Sequence, residues 1–354
     1  MDKKMSVNTI ERLPRIPPDA VAKSLHDFAP LARRTGAHLY AELCDRIPDD
    51  PELVEIVSHA LASFPGPHLF FAVNFLLLRD PKDPLARYYG NLTDNPARPE
   101  QAFPDFARYC KAHRGEIVHL MRTRTIQATF VERCQTLLPL ASHVADLVGE
   151  PLNLIEIGCS AGLLLTFDQY AYDVKGRGRL GSNAASLTLN LEVRGGPEVR
   201  IPKIGQRIGL DLRPVDVKSA DERLWLLAQF PPEEHVRQKR LAAALDTVAR
   251  TDITFFEGDA LEFVPEQTAK ISGPLFVYHS NCLIYWSEAS KAALDEQLKA
   301  ASRGREIYRM GVEPEVGRSD NGFEMVLTRY RDGEAEGKVV ADSSLDSGTL
   351  TWRD

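Results

Sequence analysis

Hydrophobic positions fall into two regimes along this chain. Up to about residue 150 they recur at helical spacing: Leu53, Ile56, Val57, Ala60, Leu61 and Phe64 follow Asp50-Pro51-Glu52, a capping residue with proline in the first turn. Pro65-Gly66-Pro67 reads as the stop of that helix, and a second apolar helix is expected over about Leu69 to Leu78. The Pro- and Asn-rich tract from Asp80 to Pro104 reads as a long loop, after which helices run to about Val148. Beyond Gly149-Glu150-Pro151 short apolar runs alternate with helical segments, the rhythm of a mostly parallel sheet. Strands are expected at Leu152 to Ile157, Gln206 to Asp211, Asp252 to Glu257, Pro274 to Ser280 and Arg305 to Val312, and helices at Ala220 to Phe230, Glu233 to Arg250 and Ser287 to Ser302. Phe323 to Arg331 and Thr349 to Trp352 are expected to close the sheet as an antiparallel pair around Asp332-Gly333. Ser186 to Arg194 alternates apolar and polar residues, and Gly195-Gly196-Pro197 turns the chain into Glu198 to Ile201, which predicts an inserted β-hairpin near 186–201. The division expected is a helical domain over 1–150 and an α/β domain over 151–354.

Composition narrows the partners rather than the fold. The 354 residues carry a net charge of -7, from 43 basic and 50 acidic side chains, without a long basic run, so nucleic acid is not expected as a partner. The longest apolar run, near Leu69 to Leu78, is too short to span a bilayer and contains Asn74, so no membrane partner is expected. Cys44, Cys110, Cys134, Cys159 and Cys282 are scattered, with no C-x-x-C pair and no His at metal spacing. Reduced thiols, no metal and a cytoplasmic location are the expectation, and the first residues lack the apolar segment of a signal peptide.

The densest chemistry follows the first strand of the second half. Glu156-x-Gly158-x-Ser160-x-Gly162 supplies a tight turn between a buried strand and a helical run, where a cofactor can approach the backbone closely. A dinucleotide turn of the form G-x-G-x-x-G needs a third glycine for helix packing; counted from Gly158 that position is Leu163, which disfavours NAD.

The pattern E-x-G-x-[GS]-x-G resembles the first motif of the Rossmann-like class of S-adenosylmethionine-dependent methyltransferases. That resemblance implies a seven-stranded, mostly parallel sheet ending in an antiparallel hairpin. It also assigns roles: Glu156, Gly158, Ser160 and Gly162 lie under the methionine portion of S-adenosylmethionine. Asp211, in Gly209-Leu-Asp211-Leu-x-Pro214, accepts the ribose hydroxyls, and Asp259-Ala260 meets the adenine. Asp211 follows the turn at more than the usual spacing, and the expected hairpin insertion accounts for the excess. The fourth strand end, His279-Ser280-Asn281-Cys282-Leu-Ile-Tyr285, borders the transferred methyl in that class. His279 is the candidate base and a further cofactor contact, with Asn281 and Tyr285 as orienting catalytic residues.

The string GLLLTFDQYAYD also resembles the bacterial methyltransferase-like family catalogued as domain of unknown function 2332, with its G-L-N-L-x-x-D-x-Y-x-Y pattern. Leu164 stands where that family usually has Asn. Asp168 and Tyr172 are expected to share a helical face four residues apart. Together with Gln127 of Thr125-Ile-Gln127-Ala-Thr129, in a helix before the sheet, they are the substrate-binding candidates. The resemblance runs on to Asp346-Ser347-Gly348-x-Leu350-x-Trp352, with Ser347 in place of a family histidine. The function expected is methyl transfer to a small molecule. The competing expectation is a non-catalytic protein that binds an S-adenosyl ligand or another protein on the same fold.

Overall fold

The computed structural model describes residues 14–61, 64–127, 129–313, 322–344 and 348–353. Asp346 and Ser347, and Ala128 between Gln127 and Thr129, lie outside them. The described strands are β1 (Leu152–Ile157), β2 (Ala171–Val174), β3 (Gly178–Leu180), β4 (Thr188–Arg194), β5 (Ile204–Asp211), β6 (Thr254–Glu257), β7 (Leu275–Ser280), β8 (Glu306–Val312), β9 (Gly322–Arg331), β10 (Glu334–Ser344) and β11 (Thr349–Trp352). They form one mixed sheet in the order β3-β2-β4-β11-β10-β9-β8-β7-β1-β5-β6. β6, β5, β1, β7 and β8 run parallel, and β9 to β11 alternate in direction. β1 and β7 are buried along their whole length, as strands covered on both faces must be. The order reverses at β1, because the chain adds β5 and β6 on one side and then returns to add β7 and β8 on the other. The crevice beyond the carboxyl ends of β1 and β7 is therefore the topological switch point, where open α/β sheets hold ligands.

The sheet has eleven strands, not seven, and two local expectations fail for physical reasons. Thr349–Trp352 is not the hairpin mate of β9. That mate is β10, joined through Asp332 and Gly333, both at positive φ as a tight two-residue turn requires. The first half of β10, Glu-Ala-Glu-Gly-Lys, is exposed and carries no apolar alternation, so only backbone pairing marks it as a strand. The hairpin near 186–201 does not form either. Both edges of β4 are taken, by β2 on one side and β11 on the other, so residues 198–201 have no edge to join. Arg200 instead donates its backbone N–H to Ser142 Oγ. The inserted hairpin is β2 and β3.

Two compact units divide the chain: Met1–Ala128 with Ser219–Lys239, and Thr129–Lys218 with Arg240–Asp354. The first unit is helical. Asp50 caps Pro51–Val57 by accepting from Glu52 N and Leu53 N, but that helix ends early. Pro65-Gly66-Pro67 then opens the next helix, Pro65–Arg79, rather than closing the previous one, since proline at the first helical position costs no hydrogen bond. The expected loop from Asp80 contains 3-10 turns at Pro84–Tyr88 and Pro99–Gln101. Residues 124–127 are not helical. Its core joins Leu25, Tyr40, Phe70, Phe106 and Trp225. In the second unit, Ile155, Ile157, Val277, Leu294 and Leu298 form an apolar layer on one face of the sheet. Among the described residues no helix is long and apolar enough to cross a membrane.

Candidate functional site

The turn after β1 is built by backbone strain and one carboxylate. Gly158 and Gly162 take φ of +74° and +72°, and Ser160 between them takes +49°, a conformation that costs a residue with a Cβ about 1 kcal/mol or more. Asp211, at the end of β5, holds the turn: its Oδ2 accepts Ser160 N–H at 2.7 Å and its Oδ1 accepts Arg213 N–H at 2.8 Å. Gly158 N–H donates to Leu210 O at 2.8 Å. Asp211 pairs in register with Glu257 of β6, and Gly258 N–H donates to Asp211 O. Asp259 then caps the helix Ala260–Lys270 by accepting Leu261 N–H at 2.9 Å, and Ala260 is buried in the first turn. Three positions separated by about 50 residues each thus meet at the ends of adjacent strands.

Glu156, two residues before the turn, is 3% exposed, and its Oε2 has no hydrogen-bond partner. Burial drives its carboxyl well above the usual range, against the attraction of Arg133. It lies in register with Tyr278, so alternation puts Glu156, Tyr278 and Ser280 on one face of the sheet and Ile157 and His279 on the other.

At the end of β7, His279 is 5% exposed and its Nδ1 lies 2.6 Å from Glu313 Oε1. Burial lowers the pKa of the imidazole, opposed by Glu313 and aided by Arg309. Glu313 also accepts the backbone N–H groups of Cys282, Leu283 and Ile284 at 3.1–3.3 Å. Burial pushes the Glu313 carboxyl up, but His279 and these N–H donors outweigh it and hold it below its ordinary value. His279 is in register with Gly311 of β8, where an added Cβ would sit 2.5 Å from the ring's Cε1. Asn281 follows with φ of +51° and a buried Oδ1 lacking a partner. Ser160 and Asn281 are two of the three described non-glycine residues at positive φ, and they flank the switch point.

The remaining candidates are placed differently. Tyr285 is 81% exposed, so it is not a core residue. Asp168 and Tyr172 do not share a helix face: a kinked 3-10 segment, Leu164–Gln169, precedes β2. Both oxygens of Asp168 are forked by Arg207 at 2.8 Å, and Tyr172 Oη donates to Phe167 O at 2.7 Å. Gln127 belongs to the helical unit, where its N–H donates to Gln229 Oε1. No group of three or more His, Cys, Asp or Glu suited to a metal occurs among the described residues.

For S-adenosylmethionine the donor set fits in part. Asp211 and Asp259 each keep acceptor lone pairs beyond their backbone bonds, which suits a ribose diol and an exocyclic amine. Over Gly158 the fit is closed, since an added Cβ would meet Cys282 Sγ at 2.5 Å. Cys282 must turn aside before a ligand can approach there. Burial pushes its thiol up to about 12, which disfavours the thiolate that a nucleophile needs. Glu313, Gly311 and the seat of Cys282 escape the sequence reading. The available signal was Gly311-x-Glu313 at the end of a strand expected beside β7.

A family model described as "Uncharacterized protein conserved in bacteria (DUF2332)" matches residues 22–352. No curated protein matches the chain.

Proposed function

The chain belongs to the bacterial DUF2332 family of uncharacterized proteins, and from its site we propose that it is an S-adenosylmethionine-dependent methyltransferase acting on a small molecule. The observation that carries this reading is the meeting of the Gly158–Gly162 turn, Asp211 and Asp259 at the carboxyl ends of three adjacent parallel strands. The third-second-first-fourth-fifth order of β6, β5, β1, β7 and β8 supports a Rossmann-like methyltransferase sheet, here extended by further strands.

When bound, the cofactor supplies an activated methyl group on a sulfonium. Asp211 accepts the ribose hydroxyls and Asp259 the adenine amine, while Glu156 and the Gly158–Gly162 turn, with Ser160, bound the other end. Ala260 packs at the adenine end. His279 takes a proton from the attacking group, and Asn281 and Tyr285 orient that group beside β7.

Calorimetric titration of the nucleoside-free protein with S-adenosylmethionine, S-adenosylhomocysteine and NAD is the test. Saturable binding of both S-adenosyl ligands, and none of NAD, is expected; binding of none of the three overturns the assignment. One observation favours a second reading, a non-catalytic S-adenosyl-ligand-binding or interaction protein: Cys282 fills the space over Gly158. Transfer of a labelled methyl group to any acceptor separates the two.

A further inference from the structure

Three backbone N–H donors and one imidazole nitrogen converge on the carboxylate that follows β8. Glu313 accepts from the backbone of Cys282, Leu283 and Ile284, and His279 Nδ1 lies 2.6 Å from its Oε1. Two carboxylate oxygens offer about four lone-pair sites, so the group has no reason to hold a proton and acts only as an acceptor. The hydrogen between Glu313 and His279 therefore sits on Nδ1. Gly311, two residues earlier in β8, gives the ring its room, since a Cβ there would sit 2.5 Å from Cε1 and 3.0 Å from Nε2. The Nε2 atom makes no hydrogen bond to the described residues. The same carboxylate that orients the ring also fixes the loop carrying Cys282, whose thiol lies over Gly158.

We propose that Glu313 is a positioning residue: it holds His279 in the Nδ1–H tautomer and leaves Nε2 bare to take a proton from a hydroxyl or amine of the methyl acceptor. The proposal rests on the methyltransferase reading only for the identity of that acceptor. In the proton step the O–H or N–H bond breaks, its electron pair stays on the heteroatom, and the proton passes to Nε2. The resulting imidazolium faces the Glu313 carboxylate, which stabilises it. The charged groups that act on the ring are Glu313, directly after β8, and Arg309 of β8; Arg309 in turn lies 3.8 Å from Asp295 of the helix Glu288–Ala301. β1 contributes Ile157.

The test is two-dimensional NMR of the free protein labelled with 15N-histidine, with the His279 signals assigned by their loss in His279→Asn. Wild type is expected to show protonated Nδ1 and bare Nε2 in the neutral ring. Glu313→Gln keeps an acceptor oxygen but loses the charge, so the tautomer should persist while the titration midpoint moves down. Gly311→Ala should disturb the His279 signals while leaving the Glu313 acceptor in place; should that variant not fold, Glu313→Gln decides. An Nε2–H tautomer in wild type overturns the proposal, as does an unmoved midpoint in folded Glu313→Gln. Because no cofactor is present, either failure leaves the cofactor reading to the separate titration with S-adenosylhomocysteine.

Discussion

Each unit buries a histidine beside a glutamate, and the two pairs are put to opposite uses. In the helical unit His59 is fully buried; its Nε2 lies 3.0 Å from Glu55 Oε1 and its Nδ1 3.3 Å from Arg122 Nη2. Arg122 can only donate, so Nδ1 is the bare nitrogen and Nε2–H serves Glu55. Glu55 is shared further with Arg15 and Arg114, each at 2.9 Å. Both nitrogens of His59 are spent on the protein itself. His279 uses one nitrogen, on Glu313, and keeps the other. Burial lowers both imidazoles, so solvation does not distinguish them. The unspent nitrogen does, on a residue at the carboxyl end of β7, beside the switch point of a parallel sheet.

Four measurements bear on this contrast. Glu55→Ala should cost the most, about 3 kcal/mol, because it strands arginines and a histidine around a lost carboxylate. Urea denaturation checks it, and affinity for S-adenosylhomocysteine should not change. A loss under about 0.5 kcal/mol would place the His59 cluster among ordinary surface pairs. Asp211→Ala should weaken binding of S-adenosylhomocysteine by about 1.5–3 kcal/mol. An unchanged isotherm would move the ribose site elsewhere. Gly311→Ala should destabilise by about 1–2 kcal/mol, the cost of overpacking, with the His279 ring displaced. A neutral effect would show that the ring moves freely.

The smallest effect concerns pH. For a histidine whose folded pKa lies below its unfolded value, the unfolded state binds more protons. Stability is then lost as pH falls below about 6.5 toward the folded value. His59→Gln and His279→Gln should each flatten the slope of urea midpoints between about pH 6.5 and 5. His68, pushed down to about 4 by burial, keeps part of the slope in both variants. An unchanged slope in either variant would mean that its histidine is solvated in the folded protein.

How much was legible depends on how local each cause is. β1 and β7 are buried, mostly apolar runs, and with β5 and β8 they were readable from the chain, as were the Gly158–Gly162 turn and the Asp211 strand end. β10 was not, because its exposed first half is held by backbone pairing with β9. The hairpin near 186–201 misled because alternation shows that a segment is a strand but not which edge it joins. Asp168 was legible as a charged residue near the turn; its engagement by Arg207, 39 positions away, was not.

Short-range sterics and solvation, written in the chain alone, mark the buried strands, the glycines that permit positive φ at the Gly158–Gly162 turn, and the carboxylates Asp211 and Asp259 beside strand ends. Only the tertiary structure decided that Glu313 meets His279 across 34 positions, and that Cys282 covers Gly158. Those contacts follow from strand register, which is set by the packing of whole faces rather than by any residue's own preference.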